Sequence, residues 1–300
     1  MVFNDNSSYS DNTIFDDVFK TMIIRIPELV IPVINEIFNT DYSENINFEQ
    51  LGNEHYTKDG KIITDSIFKI KDVIYHIECQ RRKDSRMVIR MIEYDFSIAL
   101  NELNKEDGEY VIRMPKSCVL HLDTSKIEDE LKMKIITSDG QLFPYKTKVI
   151  KVQDYSKNEI FEKRLLLFLP FYIIRYQSQY NDIENDNERY EAFVNEFIEI
   201  NTRLGEVTAK SEKSGLYNDL IGLITKIADY MLVNQTKLKK GVDDAMGGQV
   251  LELESERLMK LGSIKTLHKL NYSADEISKI IDEPIEKVES VINSLDENEE

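Results

Sequence analysis

The order of apolar and polar positions divides the chain into a first half rich in strands and a second half rich in helices. Between Ile62 and Gln80, β-branched residues recur as expected for two β-strands, with Lys71-Asp72 at the turn. From Asn158 onward, apolar residues recur at helical spacing. Further strands are predicted over residues 117–122, 132–137 and 143–152. The pattern therefore predicts an α/β fold, in which a mixed sheet flanked by helices is followed by an all-helical C-terminal region.

Helices are predicted on both sides of this hairpin and through the second half of the chain. One covers residues 14–25, and another begins at Asp84 or Ser85 and ends near Leu103. Later helices are predicted over 160–177 with a bend at Pro170, over 188–203, 216–240 and 249–270, and over two short segments that end near Asp282 and Leu295. Ser273 and Glu276 form the pattern of a capping box before the first short helix.

Glycines in the segment 241–248 mark a joint between the later helices. We therefore expect a core over 1–155, a helical region packed on it over 156–248, and a helical tail over 249–300. The tail ends in two short helices that resemble a helix-turn-helix. Residues 241–300 carry 6 basic and 15 acidic side chains, a net charge of −9, which makes DNA binding by the tail unfavourable.

Composition is that of a globular protein, with 41% hydrophobic and 31% charged residues among 300. The net charge of −17 opposes binding to nucleic acid, but it is concentrated in the ends of the chain. Residues 1–60 carry 3 basic and 11 acidic side chains, whereas residues 61–120 carry 11 and 10. The region around the hairpin is thus close to neutral.

Two cysteines, Cys79 and Cys118, lie in apolar stretches typical of strands. We expect buried thiols in a reducing compartment rather than a disulfide or a zinc site. The most apolar run, 165–174, contains Pro170 and is too short to span a bilayer, and the start of the chain has no secretory signal pattern. A cytoplasmic location without membrane contact is expected.

Candidate chemistry lies at the open end of the hairpin. A turn centred between Lys71 and Asp72 brings Asp65 opposite Glu78, and alternation puts His76, Glu78 and Gln80 on one face. Two facing carboxylates repel each other unless a cation or proton lies between them. Together with a backbone carbonyl and waters, they suit Mg²⁺ or Mn²⁺. The alternative, an edge-strand aspartate beside a solvated glutamate, is equally compatible with the spacing.

A basic cluster follows the second strand directly. It consists of Arg81, Arg82, Lys83, Arg86 and Arg90. These side chains either form a solvated helix face or contact nucleic-acid phosphates beside the carboxylates. The sequence pattern by itself does not separate the two interpretations.

Taken in order, the residues with candidate chemistry are Asp16-Asp17-Val18-Phe19-Lys20, Asp65, Glu78-Cys79-Gln80, Arg86, Arg90 and Glu93-Tyr94. With the segments ITDSIF, YHIECQ, IRMIEYDFSIAL, IFEKRLLLFLPFYI and SADEISKIIDEPIEKV, this set resembles the recombination-promoting nuclease / putative transposase family of the PD-(D/E)XK nuclease superfamily. The resemblance covers most of the chain.

The resemblance implies a restriction-endonuclease-like core and Mg²⁺-dependent cleavage of DNA phosphodiesters, with Mn²⁺ as an alternative ion. Asp65 and Glu78 would be the metal-binding catalytic carboxylates, and Gln80 would occupy the position usually held by lysine. Asp16 would match the acidic residue of the first helix. Arg81, Arg82, Lys83, Arg86 and Arg90 would then contact DNA.

Two other functions remain open at this point. A nuclease fold with weak or no activity could bind DNA or a protein, which the acidic net charge and the neutral Gln80 favour. A defence effector that cleaves nucleic acid would share the same site. Cutting both DNA strands would need two sites, and therefore a homodimer.

Overall fold

The computed structural model describes residues 13–52, 54–57, 60–209, 215–247 and 254–296. The chain divides into two compact units, Met1–Leu251 and Glu252–Glu300. The helical region expected over 156–248 therefore belongs to the same unit as the expected core over 1–155. The junction expected between 248 and 249 lies outside the described residues, as does the stretch to residue 253.

The first unit contains a mixed six-stranded sheet flanked by helices, as the apolar pattern predicts. Its strands run in the order β1-β4-β5-β8-β10-β9, while β2 pairs with β3 and β6 with β7 in two small sheets. The strands are β1 (Glu49–Gln50), β2 (Glu54–Thr57), β3 (Gly60–Ile63), β4 (Ser66–Ile70), β5 (Val73–Gln80), β6 (Asn104–Glu106), β7 (Glu109–Val111), β8 (Lys116–His121), β9 (Glu130–Ile136) and β10 (Leu142–Lys151). Strand β5 pairs antiparallel with β4 and parallel with β8.

Helices α1 and α3 lie before and after the hairpin in sequence and supply the remaining parts of the site. The α-helices of this unit are α1 (Thr13–Arg25), α2 (Val30–Phe38), α3 (Met87–Asn101), α4 (Lys157–Glu162), α5 (Tyr180–Asn185), α6 (Asn187–Thr208), α7 (Leu216–Met231) and α8 (Thr236–Met246). None of the described helices is long and apolar enough to cross a membrane.

The register predicted for the β4–β5 hairpin is confirmed. Ile70 pairs with Val73 and Phe68 with Tyr75. Lys71, in the two-residue turn, takes the left-handed conformation with φ of 55°, so the tight turn forms without glycine. One part of the prediction is wrong, because Ile62 and Ile63 belong to β3, which pairs with β2. The chain bends at Asp65, which therefore lies just before β4 rather than within it.

Strand β5 is buried on both faces, which is typical of a central strand covered by two layers. On one face, the ring of Tyr75 lies 5.2 Å from that of Phe38 in α2. On the other face, His76 contacts Asp95 of α3. Because side chains alternate along a strand, Glu78 and Gln80 lie on the α3 side with His76. The α3 layer therefore covers the face that carries the candidate site.

Two predicted helices have different boundaries in the structure. The helix expected over 160–177 is α4 followed by a 3₁₀ segment, Leu166–Gln179. Arg164, with φ of 54°, ends α4, and Leu166–Ile174 are all buried. The helix expected over 216–240 divides into α7 and α8. Both segments have apolar residues at helical spacing, so periodicity alone did not reveal these breaks.

Gly241, expected at a joint, lies within α8 where that helix contacts α6. A Cβ atom there would lie 2.7 Å from Val194 Cγ2 and 2.9 Å from Tyr190 Oη. We expect Gly241→Ala to lower the free energy of unfolding by about 1–3 kcal/mol, because well-packed interfaces do not accept added volume. The matched control is Gly205→Ala, whose Cβ would meet only Tyr217 at 3.8 Å. Urea unfolding should give a higher free energy of unfolding for Gly205→Ala than for Gly241→Ala. Equal values would contradict close packing of α8 against α6 at Gly241.

The second unit contains α9 (Glu254–Lys269), α10 (Ala274–Ile281) and α11 (Ile285–Asp296). Ile264, Ile277 and Val288 form its core. Ser273 and Glu276 form the predicted capping box at the start of α10. The two short helices thus fold as the sequence pattern predicts, around a small core of their own.

Candidate active site

Asp65 and Glu78 are joined by hydrogen bonds at the end of the hairpin. The Asp65 backbone N–H donates to Glu78 Oε1 at 2.9 Å, and the Cys79 backbone N–H donates to Asp65 Oδ2 at 2.8 Å. The bend before β4 thus turns the Asp65 carboxylate toward β5. The carboxylates meet as the register predicted, although through these bonds rather than through a continued strand ladder.

Burial of the Asp65 carboxyl group has a large electrostatic cost. The side chain is 12% exposed. Burial and the nearby charge of Glu78 raise the pKa of Asp65 to about 8, and the Cys79 hydrogen bond and Lys20 only partly oppose this. Lys20 Nζ lies 3.7 Å from Asp65 Oδ1. Nearby protein cations therefore do not fully offset the cost of ionising Asp65, which keeps its proton at neutral pH.

Helix α1 contributes Asp16 and Lys20, which are one helical turn apart. Burial raises the pKa of Asp16 to about 6, with Lys20 opposing the shift and Glu78 adding to it. The charge of Asp16 in turn helps to raise the pKa of Asp65. The charges of Asp16, Asp65 and Glu78 therefore interact, and these three residues are called the acidic cluster below. The sequence placed Lys20 in the candidate segment of α1 but assigned it no role.

Gln80 lies at the end of β5 beside Arg90 of α3. Arg90 Nη1 donates to Gln80 Oε1 at 3.4 Å and lies 3.2 Å from Asp84 Oδ2. Its Nη2 lies 3.8 Å from Glu78 Oε2. Arg90 is therefore a member of the carboxylate cluster, whereas the sequence grouped it with phosphate-binding residues.

The other basic residues divide into two kinds. Arg82, Lys83 and Arg86 are exposed between β5 and α3. Arg81 is 5% exposed, and its guanidinium lies 4.3 Å from the centre of the Phe15 ring. Its position therefore favours a packing role between β5 and α1 over the phosphate contact expected from sequence, because burial removes the charge from solvent.

A buried polar network lies behind Glu78 on the α3 side. His76 Nε2 is 2.9 Å from Glu78 Oε1, and His76 Nδ1 is 2.7 Å from Asp95 Oδ1. Sequence alternation put His76 on the face of Glu78 but gave it no role, and Asp95 was missed. The available signal was spacing, because Asp95 follows Met87 and Met91 at intervals of four on the buried face of α3.

Both cysteines are buried free thiols, as expected. Burial raises the pKa of Cys79 and of Cys118, so both remain protonated. Among the residues that the structure describes, no group of three or more His, Cys, Asp or Glu side chains is arranged to hold a metal ion. Mg²⁺, however, commonly takes only one or two protein carboxylates and completes its shell with water.

Comparison with known proteins gives no significant match to a family model, a curated protein or a solved structure. The family resemblance therefore stays a prediction from sequence. The geometry and electrostatics of the site are therefore the basis for the function proposed below.

Proposed function

We propose that the chain is a metal-dependent DNA endonuclease of the PD-(D/E)XK type that acts in recombination or transposition. The observation that carries the proposal is the buried acidic cluster of Asp65, Glu78 and Asp16 at the end of the central hairpin, in which the pKa of Asp65 is raised to about 8. Strongly perturbed carboxyl groups that share one site are typical of functional centres. A mixed sheet flanked by helices is compatible with a nuclease core.

Two carboxylate oxygens of the cluster fit a hard divalent cation, although each also lies near a cation of the protein. Asp65 Oδ2 and Glu78 Oε1 already accept hydrogen bonds from backbone N–H groups, so Asp65 Oδ1 and Glu78 Oε2 remain for Mg²⁺ or Mn²⁺. A divalent cation there would offset the burial and the repulsion from Glu78 that raise the pKa of Asp65. When bound, such an ion polarises a phosphate and makes a bound water more acidic.

The other side chains supply orientation and charge. The Gln80 amide can both donate to and accept from a water molecule, but it carries no charge to stabilise a phosphate in the transition state. Lys20 carries an ammonium group 3.7 Å from Asp65 Oδ1 and can provide that charge. The exposed Arg82, Lys83 and Arg86 are suited to contact the DNA backbone.

A plasmid assay tests the proposal. The purified chain is incubated with supercoiled DNA in Mg²⁺ or Mn²⁺, and with a chelator as the control. We expect relaxed or linear DNA only when the ion is present. If the DNA stays supercoiled with either ion, the endonuclease assignment is wrong.

A second candidate is a nuclease fold that binds DNA or protein without cutting. The contact between Arg90 and the neutral Gln80 supports it, as does the net charge of −17. Calorimetric titration with Mn²⁺ separates the two candidates. An active site should bind the ion in the wild-type chain, and this binding should be lost in the Glu78→Gln variant. Absence of ion binding favours the binding module. A defence effector that cleaves nucleic acid would share the catalytic site and differ in regulation.

Replacement of Lys20 tests whether α1 supplies the positive charge that Gln80 lacks. We expect Lys20→Gln to slow cleavage by about 10²-fold, since it removes charge stabilisation from the transition state. Its affinity for Mn²⁺ should be equal or higher, because a nearby cation no longer repels the ion. Lys69→Gln is the matched control. Lys69 lies on β4, its side chain is 32% exposed against 36% for Lys20, and it pairs with Glu102, which follows α3. Unchanged cleavage in Lys20→Gln would exclude this role.

A further inference from the structure

We propose that His76 and Asp95 are positioning residues that fix the orientation of the Glu78 carboxylate, so that it presents only Oε2 to a cation. This inference rests on the metal site of the proposed function. It adds a series of buried, hydrogen-bonded side chains behind Glu78, which is called the relay below. The relay runs from Glu78 on β5 through His76 to Asp95 on α3. Neither His76 nor Asp95 is part of the acidic cluster itself.

Glu78 Oε1 has two donors. The Asp65 backbone N–H and His76 Nε2 each approach it at 2.9 Å. Arg90 Nη2 lies 3.8 Å from Oε2, which is longer than a hydrogen bond. The two oxygens are therefore not equivalent, and Glu78 is set to bind a cation through one atom.

His76 is fully buried between two carboxylates. Its ring nitrogens lie 2.9 Å from Glu78 Oε1 and 2.7 Å from Asp95 Oδ1, so the ring is hydrogen-bonded to a carboxyl group on each side. These two contacts hold the ring in one orientation.

Asp95 is itself held by two further elements of the sheet. Its Oδ1 also accepts from Ser117 Oγ of β8 at 2.6 Å, and its Oδ2 accepts from Tyr145 Oη of β10 at 2.6 Å. Thr147 Oγ1 donates to Tyr145 Oη at 2.8 Å. Helix α3 and two strands beyond β5 therefore define where the His76 ring lies, and through it where Glu78 points.

The composition of the relay indicates a role other than packing. Met91 and Ile98 occupy the same buried side of α3 as Asp95, so this layer accepts apolar side chains. Buried ion networks are often no more stabilising than apolar residues of similar volume. Orientation of the Glu78 carboxylate explains why this layer instead holds five hydrogen-bonded polar side chains, namely His76, Asp95, Ser117, Tyr145 and Thr147. Partners behind metal ligands typically change metal affinity 10- to 100-fold when removed.

Calorimetry with Mn²⁺ on the full chain tests the relay. We expect Asp95→Asn to weaken binding by about 10- to 100-fold and Tyr145→Phe to weaken it less, because the phenylalanine removes one O–H donor and keeps the ring. Tyr172→Phe is the matched control, since Tyr172 is also a buried tyrosine that donates to a carboxylate, Glu196, outside the relay. It should bind Mn²⁺ like the wild type.

A second readout needs no metal. Proton NMR should show a His76 ring N–H that is protected from exchange with water in the wild type and that exchanges faster in Asp95→Asn. If Asp95→Asn does not fold, Tyr145→Phe carries the calorimetric test. Wild-type affinity in both relay variants, alongside lost binding in Glu78→Gln, would overturn the relay and leave the metal site standing. Absence of Mn²⁺ binding by the wild-type chain would overturn the metal site and the relay with it.

Discussion

Glu78→Gln and Asp65→Asn are each expected to remove metal-dependent cleavage of DNA, with a loss of at least about 10³-fold. Each change removes a negative charge from a site whose remaining free oxygens, Asp65 Oδ1 and Glu78 Oε2, are suited to one cation. The charge stabilisation that such an ion provides is worth several kcal/mol, which corresponds to a rate change of this size. Initial rates of plasmid nicking, measured with saturating Mg²⁺, give the result directly.

Circular dichroism should show that both variants keep the wild-type content of helix and strand. The control is Asp84→Asn, which removes a carboxylate that pairs with Arg90 outside the cluster of Asp65 and Glu78. We expect a much smaller loss of cleavage in this variant. Full activity in either Glu78→Gln or Asp65→Asn would show that the cluster is not the catalytic centre.

Asp65→Asn is also expected to be more stable than the wild type at about pH 9 without divalent ions, by on the order of 3 kcal/mol. The pKa of Asp65 is raised in the folded chain from 3.8 to about 8, chiefly by burial and by Glu78. Ionisation therefore favours the unfolded state, and the wild-type chain loses stability as pH rises from about 4 through about 8. Urea unfolding across this pH range measures the difference between the two chains.

The part of this difference that comes from ionisation should vanish below about pH 3, where Asp65 is protonated in both the folded and the unfolded chain. At high pH, Mg²⁺ should reduce the difference in stability between Asp65→Asn and the wild type, because an ion that binds only the folded wild-type chain stabilises that chain. Asp129→Asn is the control with the opposite sign, since Lys151 lowers the pKa of the exposed Asp129. If Asp65→Asn is less stable than the wild type at high pH, burial and the charge of Glu78 do not make ionisation of Asp65 unfavourable in the folded chain.

The sequence predicted the parts of the site that depend on local spacing. The register of β4 and β5 followed from β-branched residues on either side of Lys71-Asp72, and it correctly brought Asp65 to Glu78. Asp16 could not be found in this way, because it is about fifty residues from Asp65 in sequence. Only the family resemblance suggested it, and in the structure its charge interacts with those of Asp65 and Glu78.

Long-range contacts account for what the sequence did not show. Arg81 and Arg86 are five residues apart and look alike in a basic run, yet Phe15 of α1 covers the first and leaves the second exposed. Asp95 lies in an apolar stripe of α3, and its partners come from three different strands. The break between α7 and α8 was hidden because apolar residues continue at helical spacing on both sides of it. Such features depend on which elements meet, and composition or periodicity does not carry that information.

Anomalous diffraction from crystals soaked in Mn²⁺ tests the central claim most directly. We predict one strong peak about 2.1 Å from both Asp65 Oδ1 and Glu78 Oε2, with Glu78 Oε1 still bonded to His76 and to the Asp65 backbone. Crystals of Glu78→Gln should lack the peak. A wild-type crystal with no Mn²⁺ at these two carboxylates, or with the ion bound only elsewhere, would contradict the account.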